Sequence, residues 1–393
     1  MFFFVAIGVL AVVHLYLWKR LVLDTTRAGT PARRVATAVL ATLALLMVAA
    51  LALGTRVDPD IARWFTWPGY LWLAIFFYLV LTLLVLELPR LALVPWTRKL
   101  PASADSGPAS VDADPASVSR RVALARGAAA VAGLTAASLV GYGTTVALGP
   151  PTITRVPITL RRLDPRAAGC RIALISDLHL GPILGRSFTE RIVDLVNAER
   201  PDVVALAGDL VDGDVADLAD AAAPLARLRS SYGTFYVTGN HEYYVGYRQW
   251  VEYVPSLGIR PLRNERVEIS HNGGVFDLAG INDATGYQWQ DAGDVGEAVA
   301  GRDPSRAVVL VAHQPVDVRH AVRHDVDLML AGHTHGGQLS PFELIVNLQQ
   351  GAVAGFYQVA GTKLYVTRGA GFWGPPVRVG APPDITVVEL RPA

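Results

Sequence analysis

Four long runs without a charged residue fall within the first 155 positions: Met1–Trp18, Val35–Gly54, Trp64–Leu86 and Gly127–Thr154. About 20 apolar residues at 1.5 Å each are needed to cross a hydrocarbon core of roughly 30 Å. The last three runs meet that length, and the first, at 18 residues, lies at its short limit. A cleaved leader would carry its positive charge ahead of the apolar stretch. Here Lys19 and Arg20 follow it, so an anchor is expected in place of a signal peptide. Trp18, Trp64, Trp67, Tyr70 and Trp96 flank the runs, where interfacial aromatics belong. The expectation is four transmembrane helices. They account for a chain that is 52% hydrophobic and only 18% charged, too apolar for one simple soluble enzyme.

Positive charge in short loops orients such helices. The first loop holds Lys19, Arg20, Arg27, Arg33 and Arg34, and the second only Arg56 and Arg63 beside Asp58 and Asp60. The third holds Arg90, Arg98, Lys99, Arg120, Arg121 and Arg126. The first and third loops are therefore expected in the cytoplasm, with everything after the fourth helix extracytoplasmic. Residues 100–120 are dominated by Pro, Ala, Ser and Asp and read as a flexible cytoplasmic linker. Ser119-Arg120-Arg121-Val122-Ala123-Leu124, ahead of the last run, resembles a twin-arginine export motif with Ala123 in the usual aromatic position. Ordinary positive-inside flanking charge is the equal alternative. Glu87 and His14 lie near run ends. Glu87 is placed for a local pair with Arg90, and anchoring is the expected role of the helices.

The organisation expected is thus a membrane region over 1–99 with three helices, the linker 100–120, a fourth helix over 121–151, and a globular domain over 152–393. In that domain short β-rich runs, Arg171–Ser176, Asp202–Ala207, Gly233–Thr238, Arg306–Ala312 and Asp327–Ala331, alternate with helical patterns near Ser187–Ala198, Val215–Arg229 and Val316–His324. Such alternation argues an α/β domain. A net charge of +1 gives no sign of a nucleic-acid partner. The single cysteine, Cys170, excludes an intrachain disulfide and any multi-cysteine metal site, and is expected to pack against the first strand.

Each expected strand ends in polar residues of a special kind. The first runs into Asp177-Leu-His179, whose alternate positions project to one side of an extended chain. The second ends in Gly208-Asp209, the third in Gly239-Asn240-His241-Glu242, the fourth in His313-Gln314 and the fifth in Gly332-His333-Thr-His335. Singly each is a turn or a satisfied polar residue. Five in order form an oxygen and nitrogen donor set without thiolate, suited to Mn, Fe, Zn or Co. Two divalent ions about 3.5–4 Å apart would need a carboxylate between them.

The ordered series D-x-H, G-D, G-N-H-E, H and G-H-x-H resembles the calcineurin-like metallophosphoesterase family. GHTHGGQLSPF and the tail TRGAGFWGPPVRVGAPPDITVVEL are similar to its bacterial membrane-associated branch, of YkuE and transmembrane metallophosphoesterase type, although that tail usually carries Glu where this chain has Asp384. The resemblance implies a four-layer, two-sheet α/β sandwich with two divalent ions, Mn favoured over Fe or Zn. Asp177, His179 and His335 would hold one ion, Asn240, His313 and His333 the other, and Asp209 would bridge. His241 would protonate the leaving oxygen or stabilise the transition state. The implied reaction is hydrolysis of a phosphodiester or phosphomonoester by a metal-bridging hydroxide. Some relatives act on phospholipid or nucleotide–lipid phosphoesters, so a lipid-linked substrate at the bilayer is one expectation. A catalytically silent metal-binding sensor or interaction module on a membrane stem is the alternative.

Other polar and aromatic residues carry weaker signals. Asp212 and Asp214 read as a turn and a helix start. Tyr243, Tyr244, Phe372 and Trp373 line the site mouth or pack internally. His271, His320 and His324 have no partner motif, and Arg368 is a candidate for meeting a substrate phosphate.

Overall fold

A computed structural model describes residues 2–92 and 120–393. The chain divides into two compact units, Met1–Ala50 with Pro68–Gly141, and Leu51–Trp67 with Tyr142–Ala393. The expected linker lies outside the described residues except for Arg120, which opens a helix.

The apolar region forms helices α1 (Phe2–Leu17), α2 (Pro31–Leu53), α3 (Pro59–Ala92) and α4 (Arg120–Leu148). Among the described residues three of these, α2, α3 and α4, are long and apolar enough to cross a membrane, not the four expected. The exception is α1. Its 16 residues rise about 24 Å, short of the 30 Å core. It then passes into a π-helical segment, Trp18–Leu23, which carries Lys19 and Arg20. Within the first unit Glu87 takes Arg90 at 2.6 Å as expected, and also Arg20 at 2.8 Å and the Tyr16 hydroxyl at 2.9 Å. His14 stacks on Phe76, donates from Nδ1 to Leu10 O and accepts from Trp72 Nε1, a fully used packing position.

In the second unit the strands are β1 (Thr152–Leu160), β2 (Arg171–Ile175), β3 (Val203–Ala207), β4 (Thr234–Val237), β5 (Ile259–Pro261), β6 (Glu265–His271), β7 (Gly274–Gly280), β8 (Val308–Val311), β9 (Leu328–Ala331), β10 (Gly355–Val359), β11 (Thr362–Val366) and β12 (Asp384–Pro392). The helices are α5 (Arg186–Ala198), α6 (Val215–Ala222), α7 (Asn240–Val245), α8 (Tyr247–Tyr253), α9 (Val295–Ala298), α10 (Val318–Arg323) and α11 (Glu343–Gln350). The strands form two mixed six-stranded sheets, ordered β1-β12-β2-β3-β4-β5 and β10-β11-β9-β8-β7-β6. β2 to β5 run parallel, as do β7, β8, β9 and β11.

Alternation along the strands sets the layering. Ile172, Leu174, Val203 and Ala205 of the first sheet share one core with Leu278, Val309, Val311, Leu328 and Leu330 of the second. Their neighbours Ala173, Ile175, Val204 and Leu206 face the other way, onto Ile192, Val193, Val196 and Trp250 of the helices. On the far side Val308, Leu310 and Met329 pack on Val295, Ala298 and Ala321. Side chains at i and i+2 share a face, so each strand serves two cores and must be apolar throughout. Cys170 is fully buried in the inter-sheet core, where burial pushes its thiol up to about 12.

The five expected strands are β2, β3, β4, β8 and β9. The expected helix over Val215–Arg229 is α6 followed by a 3₁₀ turn, Ala223–Arg227. The hairpin β6–β7 turns on Asn272-Gly273, both in the left-handed region at φ 52° and 84°. Asn-Gly is the strongest local hairpin signal, and here it sits between two alternating runs.

Candidate metal centre

Every expected donor block stands two or three residues beyond the end of a parallel strand. Asp177 follows β2, Asp209 follows β3, Asn240 follows β4, His313 follows β8 and His333 follows β9. Chain reversal at these ends is tight. Asp177, His179, Asp209, His333 and His335 all have positive φ, from 46° to 70°. Non-glycine residues adopt that conformation at a cost and persist there where the surroundings enforce it. Glycine is required beside them: a Cβ on Gly239 would run into the Asp209 carboxylate.

Two donor groups result. Asp177, His179 and His335 form one, with His179 Nε2 and His335 Nε2 3.0 Å apart and Asp177 Oδ1 3.4 Å from His335. Asp209, His313 and His333 form the other, with His313 Nε2 3.2 Å from His333 Nδ1 and 3.1 Å from Asn240 Oδ1. Asp209 Oδ2 reaches both, lying 3.2 Å from His313 Nε2 and 3.7 Å from His179 Nε2. The structure thus brings together all seven expected ligands, with His241 Nε2 4.0 Å from the same oxygen.

Outer hydrogen bonds fix which ring nitrogen faces inward. His313 Nδ1 donates to Ala207 O at 2.7 Å, and His179 Nδ1 donates to Asp212 Oδ1 at 2.9 Å. In each ring Nε2 then presents its lone pair to oxygen and nitrogen acceptors. Such convergence calls for a proton or a cation, and the arrangement of ligand histidine with outer carbonyl or carboxylate is that of metal sites. The residues present fit a pair of divalent ions.

The charges at the centre shift its groups in opposite directions, and burial raises Asp177. Burial disfavours the imidazolium of His313, but Asp209, Asp177 and Asp283 outweigh it and push the group well above its usual range. Burial would raise Asp209, yet His313 and His241 hold it well below the usual carboxylate range. Burial and then His313 push His333 down to about 3, and burial followed by His179 and Arg378 keeps His335 well below normal, so both are neutral as ligands must be. Against burial, Asp209 and Asp212 push His241 up to about 9.

Three supporting residues escaped the sequence reading. Asp212, expected in a turn, accepts from both His179 Nδ1 and His241 Nδ1, the latter at 2.6 Å. It reaches them because the loops after β2 and β3 zip together: His179 N donates to Asp209 O, Leu180 N to Leu210 O, and Asp212 N to Leu180 O. Its spacing of three from Asp209 was the only available signal. Glu242 is buried and accepts from the backbone N–H groups of Gly239, Asp209 and Leu210. Arg378 is fully buried, donates to His335 O at 3.0 Å and to Ala381 O at 3.1 Å, and stands against His335 Nδ1.

The remaining candidates separate. Asp214 caps α6 through Asp217 N, as expected. Tyr243 is buried with its hydroxyl on Asp291, and Phe372 is core. Tyr244 and Trp373 are exposed and flank His241 at 5.4 and 6.0 Å between ring centroids. His271 meets Tyr232, and His320 accepts from Arg323, both away from the donor groups. Arg368 lies 3.6 Å from Asp384, whose carboxylate also accepts from Arg368 N.

Residues 170–337 match the sequence pattern of calcineurin-like phosphoesterases. A transmembrane protein with a metallophosphoesterase domain from Danio rerio is 34% identical over 395 aligned residues, covering 96% of this chain and 86% of that protein. The Bos taurus protein of the same description is 39% identical over 288 residues, 70% of this chain and 64% of its own, so this chain spans slightly less than two thirds of it. An uncharacterized metallophosphoesterase, YkuE of Bacillus subtilis, is 30% identical over 277 residues, 67% of this chain and 94% of that one.

Proposed function

The chain belongs to the calcineurin-like metallophosphoesterase family, and from that premise we propose that it is a membrane-anchored, two-metal phosphoesterase acting outside the cytoplasm. The observation that carries this reading is Asp209 Oδ2, one carboxylate oxygen within 4.0 Å of histidines from both donor groups and of His241.

Asp177, His179 and His335 would hold one ion, Asn240, His313 and His333 the other, and Asp209 would lie between them. When bound, the ions supply Lewis acidity toward the phosphoryl oxygens and toward a water nucleophile, with Mn the favoured metal. His241 does the proton work. Its Nδ1–H is held by Asp212, which leaves Nε2 at the centre, and the Asp209 and Asp212 charges raise the proton affinity of the ring. A cationic Nε2–H is suited to stabilising charge on phosphorus and to protonating the leaving oxygen. Tyr244 and Trp373 at the mouth supply apolar and aromatic contact for the group attached to the phosphate, which is compatible with a lipid-linked ester.

The location rests on loop charge. α2, α3 and α4 alone carry the argument: Lys19, Arg20 and Arg27 precede α2 and Arg33 and Arg34 lie in its first turn, whereas at the other end only Arg56 lies between α2 and α3, with Arg63 near the start of α3. That puts the start of α4 in the cytoplasm and residues after Leu148 outside, whether or not α1 also crosses. A C-terminal reporter fusion active only in the cytoplasm would overturn the location.

The test of activity is purified full-length protein with Mn²⁺ and an aryl phosphodiester or monoester. The expected result is turnover that chelation abolishes and metal restores. Metal binding without turnover of any phosphoester would favour a silent module.

A further inference from the structure

Helix α11 is built inside out for a surface helix of a soluble domain. Its inward side is polar: Gln350 is buried, accepts from Val316 N and donates to Gln314 Oε1, while Glu343 accepts from Ser340 Oγ. Its outward side is aliphatic. Leu344, Ile345 and Leu348 are 65%, 57% and 87% exposed, and the spacing i, i+1, i+4 puts them on one face. The other outward residues, Asn347 and Gln349, carry no charge. Exposed aliphatic residues scattered singly need no explanation, but a contiguous uncharged face marks an interaction surface.

The place of this face in the domain identifies its occupant. α4 opens on Arg120, Arg121 and Arg126, and its uncharged stretch from Gly127 to Leu148, about 33 Å long, carries it across a hydrocarbon core of roughly 30 Å to its last turns. Those turns are part of the catalytic domain. Gly143 O accepts from Arg378 N at 2.9 Å, and Ala147 joins the core around Leu178 and Phe372. The same 377–380 segment holds the base of α11 on its other side, through Ser340 N donating to Val379 O at 3.0 Å. Two backbone hydrogen-bonded spacings, on the order of 10 Å, therefore separate the emerging end of α4 from the start of α11. Tyr142, 63% exposed on that end of α4, is an aromatic suited to the headgroup level.

We propose that the Leu344, Ile345 and Leu348 face of α11 docks into the lipid bilayer surface, fixing the domain so that the mouth of the site opens at the membrane. α11 follows the His335–Gly337 turn closely, and Gly337 packs on the Glu343 backbone, so the docked helix and a proposed metal ligand move as one piece. This docking does not rest on the hydrolytic reading.

The test is full-length protein with Leu348→Cys, carrying a nitrobenzoxadiazole label, in vesicles of phosphatidylcholine and phosphatidylglycerol. Cys170 is buried and will not compete for the label. Ile345→Cys is the second labelling site should Leu348→Cys not fold. Ser305→Cys, exposed before β8 at the opposite end of the sheets, is the reference. Insertion of an apolar helix face by 5–10 Å predicts blue-shifted emission that doxyl-phosphatidylcholine quenches by roughly half, with neither effect at residue 305. Emission at 348 as water-like as at 305 overturns the proposal. So does a shielded label that lipid quenchers do not reach, which would identify a protein occupant such as a second copy of the chain.

Discussion

Asp212 Oδ1 accepts the Nδ1 hydrogen of His241 at 2.6 Å, the tightest contact at the centre between an acidic residue and a histidine. The same oxygen accepts from His179 Nδ1 at 2.9 Å, so one carboxylate aims the proposed acid and orients a proposed ligand. Burial would raise Asp212, but His179 and His241 hold it well below the usual carboxylate range. Asp212→Asn keeps the shape and removes one of the two carboxylate charges, beside Asp209, that raise the proton affinity of His241. A loss of about 10–100-fold in kcat is expected, with metal affinity weakened as for other outer partners of ligand histidines. Activity at several metal concentrations separates the two effects, because added metal restores only the second.

Asp209 and His241 should fail differently. Asp209→Asn removes the carboxylate that both donor groups share, so metal analysis of the purified variant should find at least one of the two proposed ions missing. His241→Ala leaves every proposed ligand in place and should retain both ions while kcat falls by about 10²–10⁴-fold, the range for a positioned proton donor. Parental turnover in the His241 variant would remove it from the chemistry.

What could be read in advance follows from where the information is local. β2, β3, β4, β8 and β9 are short apolar runs closed by a turn glycine or a donor, and their side chains serve two cores, so they are visible as apolar strands. β12 was harder to see. It enters the first sheet between β1 and β2, some 200 residues distant in sequence, and its place is fixed by that pairing. The donors were legible because each stands at a strand end. Asp212 and Arg378 were not, because their roles come from loops meeting across the site: the 177–181 loop zipped to 208–212, and the tail folded over His335. The first apolar run is not among the clear spans, since its α-helical part stops at Leu17 and winding changes from α to π at Trp18, which hydropathy does not register.

Glu242 provides a test of that loop packing. Its carboxylate gathers the backbone N–H groups of Gly239, Asp209 and Leu210 at 2.6, 3.1 and 2.7 Å. Glu242→Ala leaves three buried donors without a partner, each costing about 1–3 kcal/mol less whatever water recovers. Thermal unfolding in detergent should show a midpoint lowered by several degrees, with metal binding weakened because Asp209 N is one of the three. An unchanged midpoint would mean the loops hold their shape without Glu242.

Asp317 links stability to pH. It is buried near Asp283 with Oδ2 unpartnered, and burial, then the Asp283 charge, push its carboxyl up to about 7. The unfolded value is about 3.9, so between roughly pH 4 and 7 the folded protein binds the extra proton. Stability therefore falls as pH rises through that window and stays low above it. Asp317→Asn removes the ionisation, so the variant should unfold at a higher temperature than the parent at pH 8. A shift of about three units at roughly 1.4 kcal/mol each, less about 1–3 kcal/mol for an unsatisfied amide, leaves a gap on the order of 2 kcal/mol. Toward pH 4 the gap should close and the parent become the more stable of the two. The comparison belongs in chelator, since divalent ions nearby would favour the carboxylate and shrink the effect. Parallel curves for the two proteins from pH 4 to 8 would show that Asp317 is ionised throughout, with a partner that holds it so.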